Sequence, residues 1–89
     1  MRLTNDELVL EAAAARSGVT LLAREISQIL REVYNRELSP KSVSKSMAYL
    51  CTVNDFVNSR RATGREKSLY NCKMIYLFGF FDPKTGEVA

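Results

Sequence analysis

Apolar residues recur every three or four positions over the first half of the chain, a spacing typical of amphipathic helices. Thr4 and Glu7 have the spacing of a capping box, and Gly18 is placed to end a helix in a left-handed conformation. The segment between them predicts a first helix over residues 5–16, with Leu8, Ala12 and Ala15 on one stripe.

A second apolar stripe follows Thr20, which we expect to be the N-cap of a helix over residues 21–35. Val19, just before this cap, is in place for brief strand pairing. The expected buried positions of the helix are Leu22, Ile26, Ile29, Leu30 and Val33.

The start of a third helix is the clearest local signal in the chain. Ser39 is an N-cap residue, Pro40 suits the first helical position, and Leu38 and Val43 have the spacing of a hydrophobic staple. Its narrow apolar stripe consists of Val43, Met47, Leu50 and Cys51. The opposite face has no acidic residue and consists of Lys41, Ser42, Ser44, Lys45, Ser46, Ala48, Tyr49 and Thr52.

A β-hairpin is predicted after the third helix. Residues 56–61 form its first strand, residues 62–67 its loop, and the alternating residues 69–78 its second strand. The tip of this hairpin is basic and contains Arg60, Arg61, Arg65 and Lys67.

The last segment, residues 79–89, contains the turn residues Asp82, Pro83 and Gly86, which predict a small second hairpin. Neighbouring residues on a strand point to opposite faces, so we expect one of Phe80 and Phe81 to cover the core and the other to meet a partner subunit. The predicted core contains Leu8, Ala12, Leu22, Ile26, Ile29, Leu30, Val43, Met47, Leu50, Phe56 and Ile75.

The chain has 89 residues, 46% hydrophobic and 26% charged, a composition typical of one globular domain. No apolar run approaches the roughly 20 residues that span a bilayer, and the first seven residues have no signal-peptide stretch. We therefore expect a soluble cytoplasmic protein, nucleoid-associated if bacterial, with no membrane partner.

The residue types that usually carry catalysis or bind metals are scarce. Histidine is absent and the chain has two cysteines and four glycines, so the sequence offers no zinc array, no His-activated nucleophile and no Gly-rich phosphate loop. We expect neither an enzyme nor a cofactor. Cys51 and Cys72 are interpreted as buried thiols, with a disulfide between them as the alternative.

Positive charge is concentrated in the middle of the chain. Residues 41–73 hold seven basic and two acidic side chains, whereas residues 1–40 hold five and six. A locally basic surface is what polyanion binding requires, although a solvated basic face gives the same pattern.

The order helix, helix, short link, helix, strand, basic loop, strand resembles that of winged helix-turn-helix domains. The resemblance covers about two-thirds of the chain and rests on residues 23–27, 39–50 and 56–77. Within this family, the chain is most similar to small enterobacterial regulators of the CaiF/GrlA type. The similarity lies in the stretch Ala-Arg-Glu-Ile-Ser at residues 23–27 and in the length of the wing. The resemblance implies an α+β fold with three helices and a two- to three-stranded antiparallel wing over residues 1–78, followed by the tail. The second helix and its linker are longer than usual for the family.

The resemblance also implies sequence-specific binding of double-stranded DNA by a transcriptional regulator. Ser42, Lys45, Ser46 and Tyr49 would face base edges, with Lys41 and Thr52 near phosphates. Thr20 would mark a helix start that offers backbone N–H groups to a phosphate. The implied wing contacts are Arg60, Arg61, Thr63, Arg65 and Lys67.

Two other classes of function remain open. A winged-helix adaptor would bind protein through the aromatic tail and would not read DNA. An RNA-binding module would need exposed aromatic side chains in series on a sheet, which the pattern does not predict. For the DNA-binding protein we expect a homodimer, because operators commonly consist of two half-sites.

Overall fold

Four helices and a three-stranded antiparallel sheet make up the computed structural model, which describes residues 3–88. The α+β class is confirmed, and the described residues contain one helix more than the three predicted. In chain order the elements are α1 Asn5–Ala14, β1 Thr20–Leu21, α2 Ala23–Tyr34, α3 Pro40–Val53, β2 Val57–Arg61, α4 Gly64–Tyr70 and β3 Met74–Phe78.

The helix starts of α1 and α3 follow from local sequence and are confirmed. At α1, the Glu7 backbone N–H donates to Thr4 Oγ1 over 3.2 Å, and the Thr4 N–H donates to the Glu7 carboxylate over 3.2 Å. At α3, the Ser42 N–H donates to Ser39 Oγ over 3.2 Å, and Pro40 occupies the first turn. These bonds satisfy backbone donors that have no partner inside the helix.

The start of α2 differs from the prediction. Thr20 is not its N-cap, because Thr20 and Leu21 form β1 and pair with Leu77 and Tyr76 of β3. The helix begins at Ala23, and the Glu25 carboxylate accepts the Leu22 backbone N–H over 2.8 Å. The local pattern assigned Thr20 and Leu21 to the start of the helix. In the folded chain they pair with β3 instead, and this pairing cannot be read from the local sequence.

The turn between α1 and β1 depends on Gly18. Its φ of +82° lies in the left-handed region, as predicted, and its N–H donates to the Phe78 carbonyl over 3.0 Å. The prediction that Gly18 ends the first helix is wrong, because α1 ends at Ala14, two residues before the predicted Arg16, with Ala15 as its C-cap. Gly18 lies in the turn that leads to β1.

The core lies between α1, α2, α3 and one face of the sheet. The largest fully buried side chains are Val9, Ile26, Leu30, Val43, Met47 and Leu77. Three residues predicted to be buried are more exposed than expected: Ile29 is half-buried, Phe56 is 54% exposed and Val33 is 69% exposed. Phe56 precedes β2, and its ring stacks on that of Phe78 with centroids 5.8 Å apart at the edge of the core.

The predicted loop of the hairpin is a helix. Glu66 N–H donates to Thr63 Oγ1 over 3.2 Å, and Thr63 N–H donates to the Glu66 carboxylate over 2.9 Å, a capping box that starts α4. Asn71 ends α4 in a left-handed conformation with φ of 51°, and β3 begins only at Met74. The alternation of residues 69–73 was therefore a misleading strand signal, and the Thr-x-x-Glu spacing was the informative one.

The tail turns back on itself as predicted and packs on the sheet. Phe81 pairs with Val88, and the Asp82 N–H donates to the Glu87 carbonyl. Phe81 is half-buried against a small cluster on the outer face of the sheet, whereas Phe80 is 55% exposed. Of the two neighbouring phenylalanine rings, that of Phe81 is therefore covered and that of Phe80 is exposed.

Cys51 and Cys72 are both free thiols and both half-buried, so the disulfide alternative is wrong. Cys51 Sγ lies 3.6 Å from Ser59 Oγ, beside β2. None of the helices within residues 3–88 has the length and apolar character needed to cross a membrane.

We expect Ile26→Ala to lower the free energy of unfolding by about 2–5 kcal/mol, since Ile26 is fully buried and the truncation leaves a cavity. Urea unfolding followed by circular dichroism measures the change. Val33→Ala on the same helix is the control, because Val33 is 69% exposed and its truncation should change stability by less than about 0.5 kcal/mol. Equal effects of the two substitutions would contradict the helix orientation.

Candidate nucleic-acid interface

The solvent-facing side of α3 carries a row of residues that we call the α3 stripe: Lys41, Lys45, Ala48 and Thr52. Their spacing of four, three and four places them on one side of the helix, and all four are exposed. Tyr49 lies beside the stripe and is 54% exposed. Because α3 contains no acidic residue, its solvent face presents cations, a small apolar side chain and hydroxyls without any negative charge.

Three of the α3 residues predicted to contact DNA have surroundings that the sequence analysis did not predict. Ser46 is only 8% exposed, so its predicted place on the base-facing side is wrong. At 100° per residue Ser46 lies at the edge of the buried stripe, next to Leu50, where so small a side chain is buried. Ser42 is half-buried in the N-cap with Ser39, and Thr52 Oγ1 donates to the Tyr49 carbonyl over 2.6 Å.

A groove beside the start of α3 gathers cations from three parts of the chain. We call it the basic groove and define its charged rim as Arg24 at the start of α2, Lys41 of α3, and Lys73 just before β3. None of the described residues that line it is acidic. Arg24 Nη1 also donates to the Asn71 carbonyl over 3.4 Å, which connects α2 to the end of α4. The positive ends of the α2 and α3 helix dipoles meet at this groove.

Arg24 and Lys73 were not predicted as site residues. Their positions in the sequence gave no reason to group them, since Arg24 belongs to the polar side of α2 and Lys73 to an alternating strand pattern. The folded chain brings both within one groove with Lys41. Thr20, in contrast, lies in β1, so its predicted place at the helix start is wrong.

Arg60 is partly exposed but is bonded to other segments of the protein, and it is not a free cation at a hairpin tip. Its Nη1 and Nη2 donate to the two Glu66 carboxylate oxygens over 2.7 and 3.0 Å, and its Nε donates to the Gly86 carbonyl over 2.9 Å. The guanidinium carbon also lies 5.2 Å from the centre of the Phe81 ring. Arg60 therefore holds β2, α4 and the tail together.

The remaining predicted wing residues divide into one cap and three exposed cations. Thr63 caps α4 through its hydroxyl, while Arg61, Arg65 and Lys67 are exposed. Within residues 3–88 the ion pairs are Arg31 with Glu37 and Arg60 with Glu66, so these three cations have no carboxylate partner there. Unpaired cations of this kind are available to phosphates.

The charge state of Glu66 follows from its contacts. The bidentate hydrogen bonds from Arg60, together with the Thr63 backbone N–H, lower the pKa of the Glu66 carboxyl to about 2. The same ion pair raises the pKa of the Arg60 guanidinium, mainly through the hydrogen bond to Glu66. Both groups are thus charged over the whole physiological range.

Comparison of this chain with protein-family models, with curated proteins and with solved structures finds no match. The exposed cations of the site form two adjoining positive surfaces, the α3 stripe and the basic groove, which share Lys41. Three further exposed cations, Arg61, Arg65 and Lys67, lie in β2 and α4.

We expect the Glu66 carboxyl to titrate near pH 2 by carbon-13 NMR, and Arg60→Gln to raise its pKa toward the ordinary value of 4.5. A carboxyl with a depressed folded pKa stabilises the fold above its unfolded pKa, and this stabilisation disappears as the pH falls through about 2. Wild type should therefore lose stability between pH 4.5 and pH 2 more steeply than Arg60→Gln does. An unchanged Glu66 titration in the variant would contradict the ion pair.

Proposed function

We propose that this protein is a sequence-specific double-stranded DNA-binding transcriptional regulator of the winged-helix kind. The α3 stripe would enter the major groove, while Arg61, Arg65 and Lys67 would contact the phosphate backbone or an adjacent minor groove. The observation that carries the proposal is the exposed, acid-free face of α3, with Lys41 and Lys45 one helical turn apart. Lysines near small side chains permit close approach to phosphates and base edges.

The arrangement of the elements supports the winged-helix part of the proposal. A helix, a short strand, two helices and two longer strands follow each other, with the strands in the order β1-β3-β2. In a winged helix-turn-helix the connection between the last two strands forms the wing. Here that connection contains α4, so the proposed wing is held in one shape by Arg60 and Glu66.

The proposal is one of binding, without catalysis or a cofactor. It includes a homodimer, because Phe56 and Phe80 are each more than half exposed and their ring centroids lie 5.8 Å apart. Exposed aromatic side chains that cluster in this way are typical of protein interfaces. The tail contacts of Phe81 and Gly86 with Arg60 mean that deleting residues 79–89 would also disturb the sheet, so single substitutions are the better test.

We expect two variants to weaken DNA binding in different ways. Lys45→Ala with Tyr49→Ala should relax sequence preference by about 1–3 kcal/mol if a base contact is lost. Arg61→Ala, Arg65→Ala and Lys67→Ala together should weaken binding to all sequences and reduce the salt slope of log affinity by about 0.9 per phosphate contact. Fluorescence anisotropy with selected and scrambled duplexes, in a salt series, measures both quantities.

The matched control for the triple variant removes the same charge elsewhere, with Arg16→Ala, Arg31→Ala and Lys84→Ala, none of which lies on α3, the basic groove or α4. This control should keep the salt slope and sequence preference of the parent. DNA binding that is the same in all variants would reject the proposal and favour the protein adaptor.

Phe80→Ser should convert a dimer to a monomer in sedimentation velocity while leaving the circular dichroism spectrum unchanged, since Phe80 is exposed. Phe81→Ser serves as the contrast, because Phe81 is packed against the sheet and its loss should lower stability. Wild-type protein that sediments as a monomer at high concentration would contradict the dimer.

A further inference from the structure

The basic groove has a floor that DNA binding does not explain. Leu22 and Tyr76 are buried beneath it, and Met74 is half-buried. A phosphodiester backbone needs cations and hydrogen-bond donors but has little apolar surface to place on such a floor. The combination of a cationic rim and an apolar floor points to a different ligand.

The groove is open to solvent and has a volume of about 520 Å³, within the range of about 300–1,000 Å³ that is usual for small-molecule sites. Such sites typically have mostly apolar walls with a small number of placed polar groups, which is the composition found here. The three rim cations come from separate parts of the chain, namely α2, α3 and the residue before β3, rather than from one helix.

We propose that the basic groove binds a small organic anion that has a flat or branched apolar body and a phosphate or carboxylate group. The anionic group would lie between Arg24, Lys41 and Lys73, and the apolar body would cover Leu22, Met74 and Tyr76. Charge complementarity is the main argument, because the described lining contains three cations and no carboxylate. Arg24 is already oriented, since it donates to the Asn71 carbonyl at the end of α4.

The structure also separates this site from the surface proposed for DNA. Arg24 and Lys73 lie outside α3, and neither belongs to the α3 stripe or to the exposed cations Arg61, Arg65 and Lys67. Substitutions at these two positions therefore test the anion site without altering the residues proposed to read DNA. Lys41 belongs to both surfaces and is left unchanged in the test.

The probe is 1-naphthyl phosphate, which has both an apolar body and a dianion, followed by nitrogen-15 NMR of the full chain. Saturable shifts of the Ala23, Ser44 and Met74 amides, with a dissociation constant of about 1 mM or tighter, are expected. Inorganic phosphate supplies the charge alone and 1-naphthol the body alone, so each should bind at least about tenfold more weakly.

Arg24→Ala with Lys73→Ala should weaken 1-naphthyl phosphate binding by at least about tenfold, because two of three charge-assisted contacts are lost. Both side chains are exposed, so the variant should keep its circular dichroism spectrum. Arg16→Ala with Lys84→Ala is the matched control and should bind the probe as the parent does.

Absent or non-saturating shifts, or equal binding by the Arg24/Lys73 variant and the parent, would overturn the proposal. A short DNA duplex that shifts the three amides when 1-naphthyl phosphate does not would assign the groove to a DNA phosphate, overturning the anion site and leaving the DNA function standing. Binding of the probe by protein that binds no duplex would support the anion site while the DNA function failed.

Discussion

The packing of α3 against the core determines which of its residues can meet a partner. Val43, Met47 and Leu50 are buried in one narrow stripe against α1, α2 and the sheet. A helix anchored along so narrow a stripe leaves most of its circumference free. The exposed remainder contains both α3 lysines and no carboxylate, so the burial of three apolar side chains also determines where the positive surface lies.

A second constraint acts at the other end of the sheet, where Arg60 connects three segments. One guanidinium bonds to Glu66 of α4 and to Gly86 of the tail, and it lies over the Phe81 ring. No residue of α4 is buried, so the helix depends on these polar contacts and its own caps rather than on core packing. The ion pair is partly covered, with side-chain exposures of 26% and 23%, and is screened less than an open surface pair.

The two positive surfaces meet at Lys41, where the starts of α2 and α3 approach each other. An anion in the basic groove and a phosphate along the α3 stripe would therefore compete for one side chain. If the protein has the proposed DNA-binding function, this arrangement would couple the small ligand to DNA, because both occupants would draw on the same local positive potential.

Local sequence determined the elements whose signals are complete within a few residues. The capping boxes and N-caps at Thr4 and Ser39 place α1 and α3 correctly, and the apolar spacing identifies Ile26, Val43 and Met47 as core. The Thr63 capping box belongs to the same kind of signal, although the prediction placed Thr63 and Glu66 in a hairpin loop.

Tertiary structure decided what depends on residues far apart in the chain. Pairing with β3 made Thr20 part of a strand. Hydrogen bonds to Glu66 and Gly86 hold the Arg60 guanidinium, so it is not one of the free exposed cations. The basic groove exists only because the fold brings Arg24, Lys41 and Lys73 together, although Arg24 and Lys73 are 49 positions apart in the sequence. Helical and strand periodicity describe which way a side chain points from its own element, whereas the neighbours of that side chain are set by how the elements pack.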